Sequence, residues 1–158
     1  MATSRQALGA LGEELVAKHC DCPRCKRSSS LRQLPTNFKC ADLLCDFCGY
    51  LGQVKAASSR DVKILPSRIL GAAWSVQKER MDAGIYFPLF LVLVEVGHRF
   101  AIYYLPADLQ TPAMFVKRAP LSDGARRAGW QGFVYDISSV RVRGVVQLKE
   151  GRLSARTG

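Results

Sequence analysis

At 158 residues and 48% hydrophobic side chains, the chain carries enough apolar content to bury a single core, which excludes an intrinsically disordered chain. A formal net charge of +10 is large for this length and points to a polyanionic partner, nucleic acid before others, against the plainer alternative of a solvated basic surface. The longest apolar run, Pro88–Val94, is too short to span a bilayer and Met1–Gln6 holds no apolar signal core, so a cytoplasmic protein with reduced cysteines and no membrane partner is expected.

Leu8, Leu11, Leu15 and Val16 recur at helical spacing and predict an amphipathic helix over Ala7–His19, with Ser4 as a candidate cap. Cys22-Pro-Arg-Cys25 follows, then a Ser- and Arg-rich loop over Lys26–Pro35. Asn37–Leu44 and Tyr50–Ala57 read as a hairpin whose turn is Cys45-Asp-Phe-Cys48. Ile69, Leu70, Ala73, Val76 and Gln77 predict a helix over Pro66–Ala83, stopped by Gly84. Leu89–Val96 is a continuous apolar run, the pattern of a strand buried on both faces, and Phe100–Leu105 returns from a Gly97-His98 turn. A short helix over Thr111–Ala119, a basic loop over Leu121–Gln131, and late strands at Phe133–Ile137 and Val142–Leu148 complete the chain. This order predicts one α/β or α+β domain, residues 1–158, built on a mixed sheet flanked by helices, with metal knuckles embedded over residues 20–49.

The two Cys-x-x-Cys pairs are separated by 19 residues, a spacing suited to a four-thiolate zinc ribbon. Cys22, Cys25, Cys45 and Cys48 are therefore the expected ligands of a structural Zn²⁺, whose coordination they close. Cys20 and Cys40 are left as core thiols, with Cys20 able to compete with Cys22. Asp42 and Lys55 are the candidate active site, because an acid on one hairpin strand and a Gln53-x-Lys55 on the next can converge, and Gln53 and Lys55 project from the same face. Phosphodiester hydrolysis needs oxygen ligands for Mg²⁺, here Asp42, and a cation to orient water and stabilise developing charge. Glu13 or Glu14 on the first helix is a candidate further ligand, with plain solvated helix charge as the alternative. Arg126 and Arg127 suit phosphate recognition, and Trp130 suits either base stacking or packing beneath its loop. Neither His19 nor His98 stands in a His-Asn-His arrangement, so that class of zinc-bearing nuclease is disfavoured.

The residues Glu13, Cys22-Pro-x-Cys25, Ala41-Asp42-x-x-Cys45-x-x-Cys48 and Gln53-Val-Lys55 resemble the catalytic domain of the DpnI-like, Dam-replacing family of restriction endonucleases, within the PD-(D/E)xK superfamily. Phe90–Val94, Phe100–Pro106, Ala125-Arg-Arg-Ala-Gly-Trp130-x-Gly132 and Asp136–Val140 extend the resemblance over roughly Gly9–Leu153. It implies a restriction-endonuclease-like fold with an inserted zinc site, cleaving double-stranded DNA with Mg²⁺. Asp42 takes the place of the metal-binding acid, and Lys55 that of the catalytic lysine. The chain departs from the superfamily at Gln53, where Glu or Asp is usual, although some modification-dependent relatives use Gln-x-Lys. The expected function is a type II-like, methylation-dependent DNA endonuclease. The alternatives are an inert zinc-ribbon DNA-binding module, which Gln53 favours, and a repair or recombination nuclease of the same fold.

Overall fold

The computed structural model describes residues 4–38, 40–95, 97–140 and 144–154. The chain divides into two compact units, Met1–Leu65 with Phe87–Pro106 and Val146–Gly158, and Pro66–Tyr86 with Ala107–Val145. Together their elements make a mixed α+β protein. Among the described residues no helix is long and apolar enough to cross a membrane.

In the first unit, helix α1 (Ser4–His19) is followed by strands β1 (Leu31–Gln33), β2 (Leu43–Cys45) and β3 (Leu51–Ser58). Later in the chain come β5 (Leu89–Val94), β6 (Arg99–Leu105) and β9 (Val146–Arg152). These strands form a six-stranded sheet in the order β1-β2-β3-β5-β6-β9. All pairs are antiparallel except β3 with β5, which run parallel with Gln53 opposite Leu89 and Lys55 opposite Leu91. Every residue of β5 is buried, which explains its unbroken apolar sequence. The predicted stripe of α1 packs as expected: Leu15 and Val16 join Val54, Phe90, Val92, Phe100 and Ile102 in one core, with Leu8 and Leu11 at its margin.

Gly12 sets how closely α1 lies on the sheet. A Cβ at this position would sit 2.8 Å from the Ala56 Cβ and 3.5 Å from a Val54 methyl. The missing side chain therefore lets the helix backbone rest on β3, at the cost of a weaker helix former.

The second unit holds β4 (Arg68–Ala73), helix α2 (Trp74–Asp82), β7 (Phe115–Lys117) and β8 (Gly132–Asp136), the strands making a sheet in the order β4-β8-β7. Its core is aromatic, with the Phe133 ring 4.9 Å from Tyr135 and 5.6 Å from Phe115.

Several sequence expectations change here. The helix expected over Pro66–Ala83 is half strand: Arg68–Ala73 pairs antiparallel with β8, and only Trp74–Asp82 is helical. Ile69 is buried while Leu70 is 48% exposed, the alternation of a strand rather than one apolar helical face. Gly71 also favours the strand, since a Cβ there would fall 2.3 Å from the Phe133 ring. The helix expected over Thr111–Ala119 is reduced to a single 3-10 turn, Pro112–Met114, before β7. The loop expected over Lys26–Pro35 contains β1, which pairs with β2 through Leu31 opposite Cys45. The first hairpin strand is shorter than Asn37–Leu44, and Lys39 lies outside the described residues. The last strand begins at Val146 and continues to Arg152; residues 142–143 of the expected Val142–Leu148 lie outside the described residues.

Filling the Gly12 contact tests the helix–sheet geometry. Gly12→Val is expected to cost about 1–3 kcal/mol in urea denaturation through overpacking. Gly12→Ala is expected not to gain the roughly 1 kcal/mol that helix propensity alone would give. Full wild-type stability in Gly12→Val would contradict this packing.

Candidate active site and four-cysteine cluster

Each Cys-x-x-Cys pair forms a tight turn closed by backbone. The Lys26 N–H donates to the Cys22 carbonyl at 2.9 Å, and the Gly49 N–H donates to the Cys45 carbonyl at 2.9 Å. The residue after each pair is left-handed, Lys26 at φ 65° and Gly49 at φ 77°. Glycine accepts that conformation without strain, whereas Lys26 is held there in part by its Nζ donating to the Pro23 carbonyl at 2.8 Å. The turns converge. The Sγ atoms of Cys22, Cys25, Cys45 and Cys48 all lie within 4.8 Å of one another, with Cys22–Cys48 at 3.6 Å and Cys25–Cys45 at 3.7 Å. A tetrahedral zinc with Zn–S bonds of about 2.3 Å has S–S edges of about 3.8 Å, so both the donor set and the spacing fit Zn²⁺. Cys20 lies buried in the core outside this cluster.

The polar surroundings suit thiolates at one corner of the cluster. The Cys45 thiol donates to the buried Ser30 hydroxyl at 3.2 Å, and that hydroxyl donates to the Arg27 carbonyl at 3.1 Å. Burial opposes ionisation of Cys45, but the Ser30 hydroxyl, once turned to donate to the thiolate, and the backbone N–H groups of Cys48 and Phe47 outweigh it and bring its pKa down to about 6. Cys22, chiefly through burial, is pushed up to about 12. A bound metal would take all four as thiolates and release protons in doing so.

Three residues before Cys45, Asp42 is fixed from both sides. Its N–H donates to the Gly52 carbonyl at 3.0 Å, and its carbonyl accepts the Leu34 N–H at 2.9 Å. One carboxylate oxygen accepts the Val54 N–H at 2.8 Å. Gln53 Nε2 donates to the Cys40 carbonyl at 3.1 Å, which leaves the amide oxygen as a possible ligand. Lys55 follows two residues along the same strand face.

Glu13 enters this group from α1, directly after Gly12. It is half-buried, whereas Glu14, the other acid of the helix pattern, is exposed. Burial first, then the charge of Asp42 and a hydrogen bond with it, raise the Glu13 carboxyl to about 7, with Lys55 partly opposing. Burial pushes the Lys55 ammonium down, against the attraction of Asp42 and Glu13. Glu13, Asp42 and Lys55 thus form one electrostatic group, a paired carboxyl site beside a cation.

The other expected DNA contacts belong to the second unit. Arg126 and Arg127 are exposed, and the Arg127 guanidinium lies over the Trp130 ring at 4.7 Å. Trp130 packs on Gly132, where a Cβ would meet its ring at 2.8 Å, so the indole fills the space beneath its loop and carries an arginine on its face. The loop is tied by Leu121 N–H to the Trp130 carbonyl and Gly129 N–H to the Leu121 carbonyl, both at 2.9 Å. Ser30 and the Val54 N–H are parts of these sites that carry no signal in the sequence. The histidines stay outside both, His19 resting on the Phe100 ring at 5.0 Å.

Two measurements follow from this geometry. Purified protein is expected to hold about one zinc per chain by metal analysis, and Cys48→Ser to lose it together with several kcal/mol of stability, given the roughly 10–16 kcal/mol that structural zinc contributes in small domains. A metal-free, equally stable protein would contradict the zinc site. The second concerns Glu13. In the folded chain it keeps its proton up to about pH 7, whereas the unfolded chain releases it near 4.5. Its contribution to stability is therefore full below the lower value and is lost as pH rises through the upper one. With zinc retained and no other divalent ion, wild type is expected to lose more stability than Glu13→Gln between about pH 5 and about pH 8. Parallel melting curves would contradict the Glu13–Asp42 contact.

A family profile described as DpnI, Dam-replacing family, matches residues 2–156, essentially the whole chain. With that match, the chain belongs to the Dam-replacing family, a family of restriction-type nucleases that act on DNA.

Proposed function

We propose that the protein is a methylation-dependent endonuclease that hydrolyses phosphodiester bonds of double-stranded DNA with Mg²⁺ at Asp42, Gln53 and Glu13, the chain acting as one nuclease domain. The observation that supports this most is the convergence of Glu13, Asp42 and Lys55 from helix and hairpin, in a chain of this family.

Each residue has a task that its contacts allow. Asp42 would hold the metal through the carboxylate oxygen not bonded to Val54, and Gln53 through its amide oxygen. Glu13, once deprotonated, would supply a second carboxylate or hold a water at the site. Bound there, Mg²⁺ would act as a Lewis acid on the phosphate and lower the pKa of its water. Lys55 orients the attacking water and stabilises charge on the phosphate oxygens. Hydrolysis forms a P–O bond to the water oxygen and breaks the P–O bond to the sugar oxygen. The water loses a proton, and the leaving oxygen gains one. Arg126 and Arg127 grip phosphates elsewhere on the duplex.

One feature favours the inert DNA-binding reading. Gln53 is neutral where a carboxylate is usual, so the site offers one negative charge fewer to a hard cation. Lys55→Ala separates the two readings. For a nuclease, Lys55→Ala should lower plasmid cleavage in Mg²⁺ by about 10²–10³-fold or more while duplex binding persists. Wild-type protein that binds DNA yet leaves plasmid intact in both Mg²⁺ and Mn²⁺ would establish the inert module instead.

A further inference from the structure

We infer that the tip of the four-cysteine hairpin, through Arg24, Arg27 and Phe47, is a second DNA-contacting surface, gripping duplex that flanks the cleaved phosphate. The inference rests on the nuclease reading, since the position of Asp42 decides where the duplex lies.

Phe47 stands between the ligating cysteines of the second knuckle and is 64% exposed. An apolar ring at the apex of a metal-stiffened turn adds nothing to the core. The Arg27 guanidinium lies over this ring at 4.4 Å, and that of Arg24 lies 5.3 Å from the Tyr50 ring. A guanidinium resting on a ring keeps its edge donors free, the geometry that takes a phosphate with two hydrogen bonds. The neighbouring cations are already committed: Arg32 pairs with Asp46 at 2.9 Å, and Lys26 Nζ donates to the Pro23 carbonyl. Among the described residues, Arg24 and Arg27 are both exposed, and neither forms a salt bridge.

The tip also has the right reach. Cys45, the last residue of β2, follows Asp42 by three residues, about 10 Å at the usual extended rise. Ten ångströms along a duplex is about three base pairs, so DNA with a phosphate at Asp42 meets the knuckle within the same turn. The closed four-thiolate site then has a use beyond stability. It holds two arginines and a ring at a fixed distance from the reacting centre.

A competing role exists for the same arginines. Four thiolates around one dication leave excess negative charge, which nearby guanidinium groups offset. The two roles differ in what they move. Binding of a duplex of about 20 base pairs is measured by fluorescence anisotropy, zinc bound and no other divalent ion present, so that cleavage is not needed. For Arg24→Ala/Arg27→Ala, the contact surface predicts an affinity loss of about tenfold or more, and a salt dependence shallower by about two in log–log slope. Zinc content and melting temperature should stay at wild-type values. Phe47→Ala should weaken binding with zinc retained. Unchanged affinity and slope, with zinc or stability lost, would overturn the inference and leave charge compensation. Wild-type protein gives an independent reading: saturating duplex should protect Arg24 and Arg27 from an arginine-modifying dicarbonyl, and unprotected arginines would overturn the proposal even if the variants misfold. A wild-type protein with no affinity for DNA would instead defeat the nuclease reading itself.

Discussion

The close approach of α1 to β3 is the contact on which the site depends. At Gly12 the Ala56 side chain of β3 crowds the space a Cβ would need, to 2.8 Å. The next residue is Glu13, and this approach lets its carboxyl meet Asp42. A larger residue at position 12 would lift the helix and with it the second carboxyl. The four-cysteine cluster holds the same two elements from another side. Cys22 and Cys25 follow the C-terminus of α1, and Cys45 and Cys48 form the turn of the β2–β3 hairpin. Helix and hairpin are thus joined twice, once by packing and once by thiol convergence.

This double attachment explains how the molecule tolerates an unfavourable cluster of charges. Two carboxyl groups and a desolvated lysine in one place repel or lose hydration unless something holds them. Here the Asp42 backbone is bonded to Gly52 of β3 and to Leu34 just past β1, and its side chain to Val54. The site responds through its protons: Glu13 stays protonated well above the usual carboxylate range, and the Lys55 ammonium is weakened. Such opposed shifts are what desolvation imposes on an acid and a base that share one partly buried place.

Much of this was legible in the sequence because it lies in short, regular patterns. The cysteine spacing, the α1 stripe and the apolar β5 each obey one period, and the structure follows them. What escaped lies where one pattern serves two structures. Ile69, Leu70, Ala73 and Val76 fit a helical face, yet strand pairing with β8 and the Gly71–Phe133 contact turn the first half into β4. The helix pattern by itself likewise offered both Glu13 and Glu14, and the family resemblance named Glu13. Only the seating of Gly12 on β3 makes one half-buried and leaves the other in water. Long-range partners such as Ser30 with Cys45 have no local signature at all.

The most direct test is anomalous scattering from crystals of the zinc protein soaked in Mn²⁺. The account predicts a manganese peak enclosed by Asp42, Glu13 and the Gln53 amide oxygen, close to Lys55 and separate from zinc at the four cysteines. A manganese peak elsewhere, or none at the carboxyl pair, would contradict it.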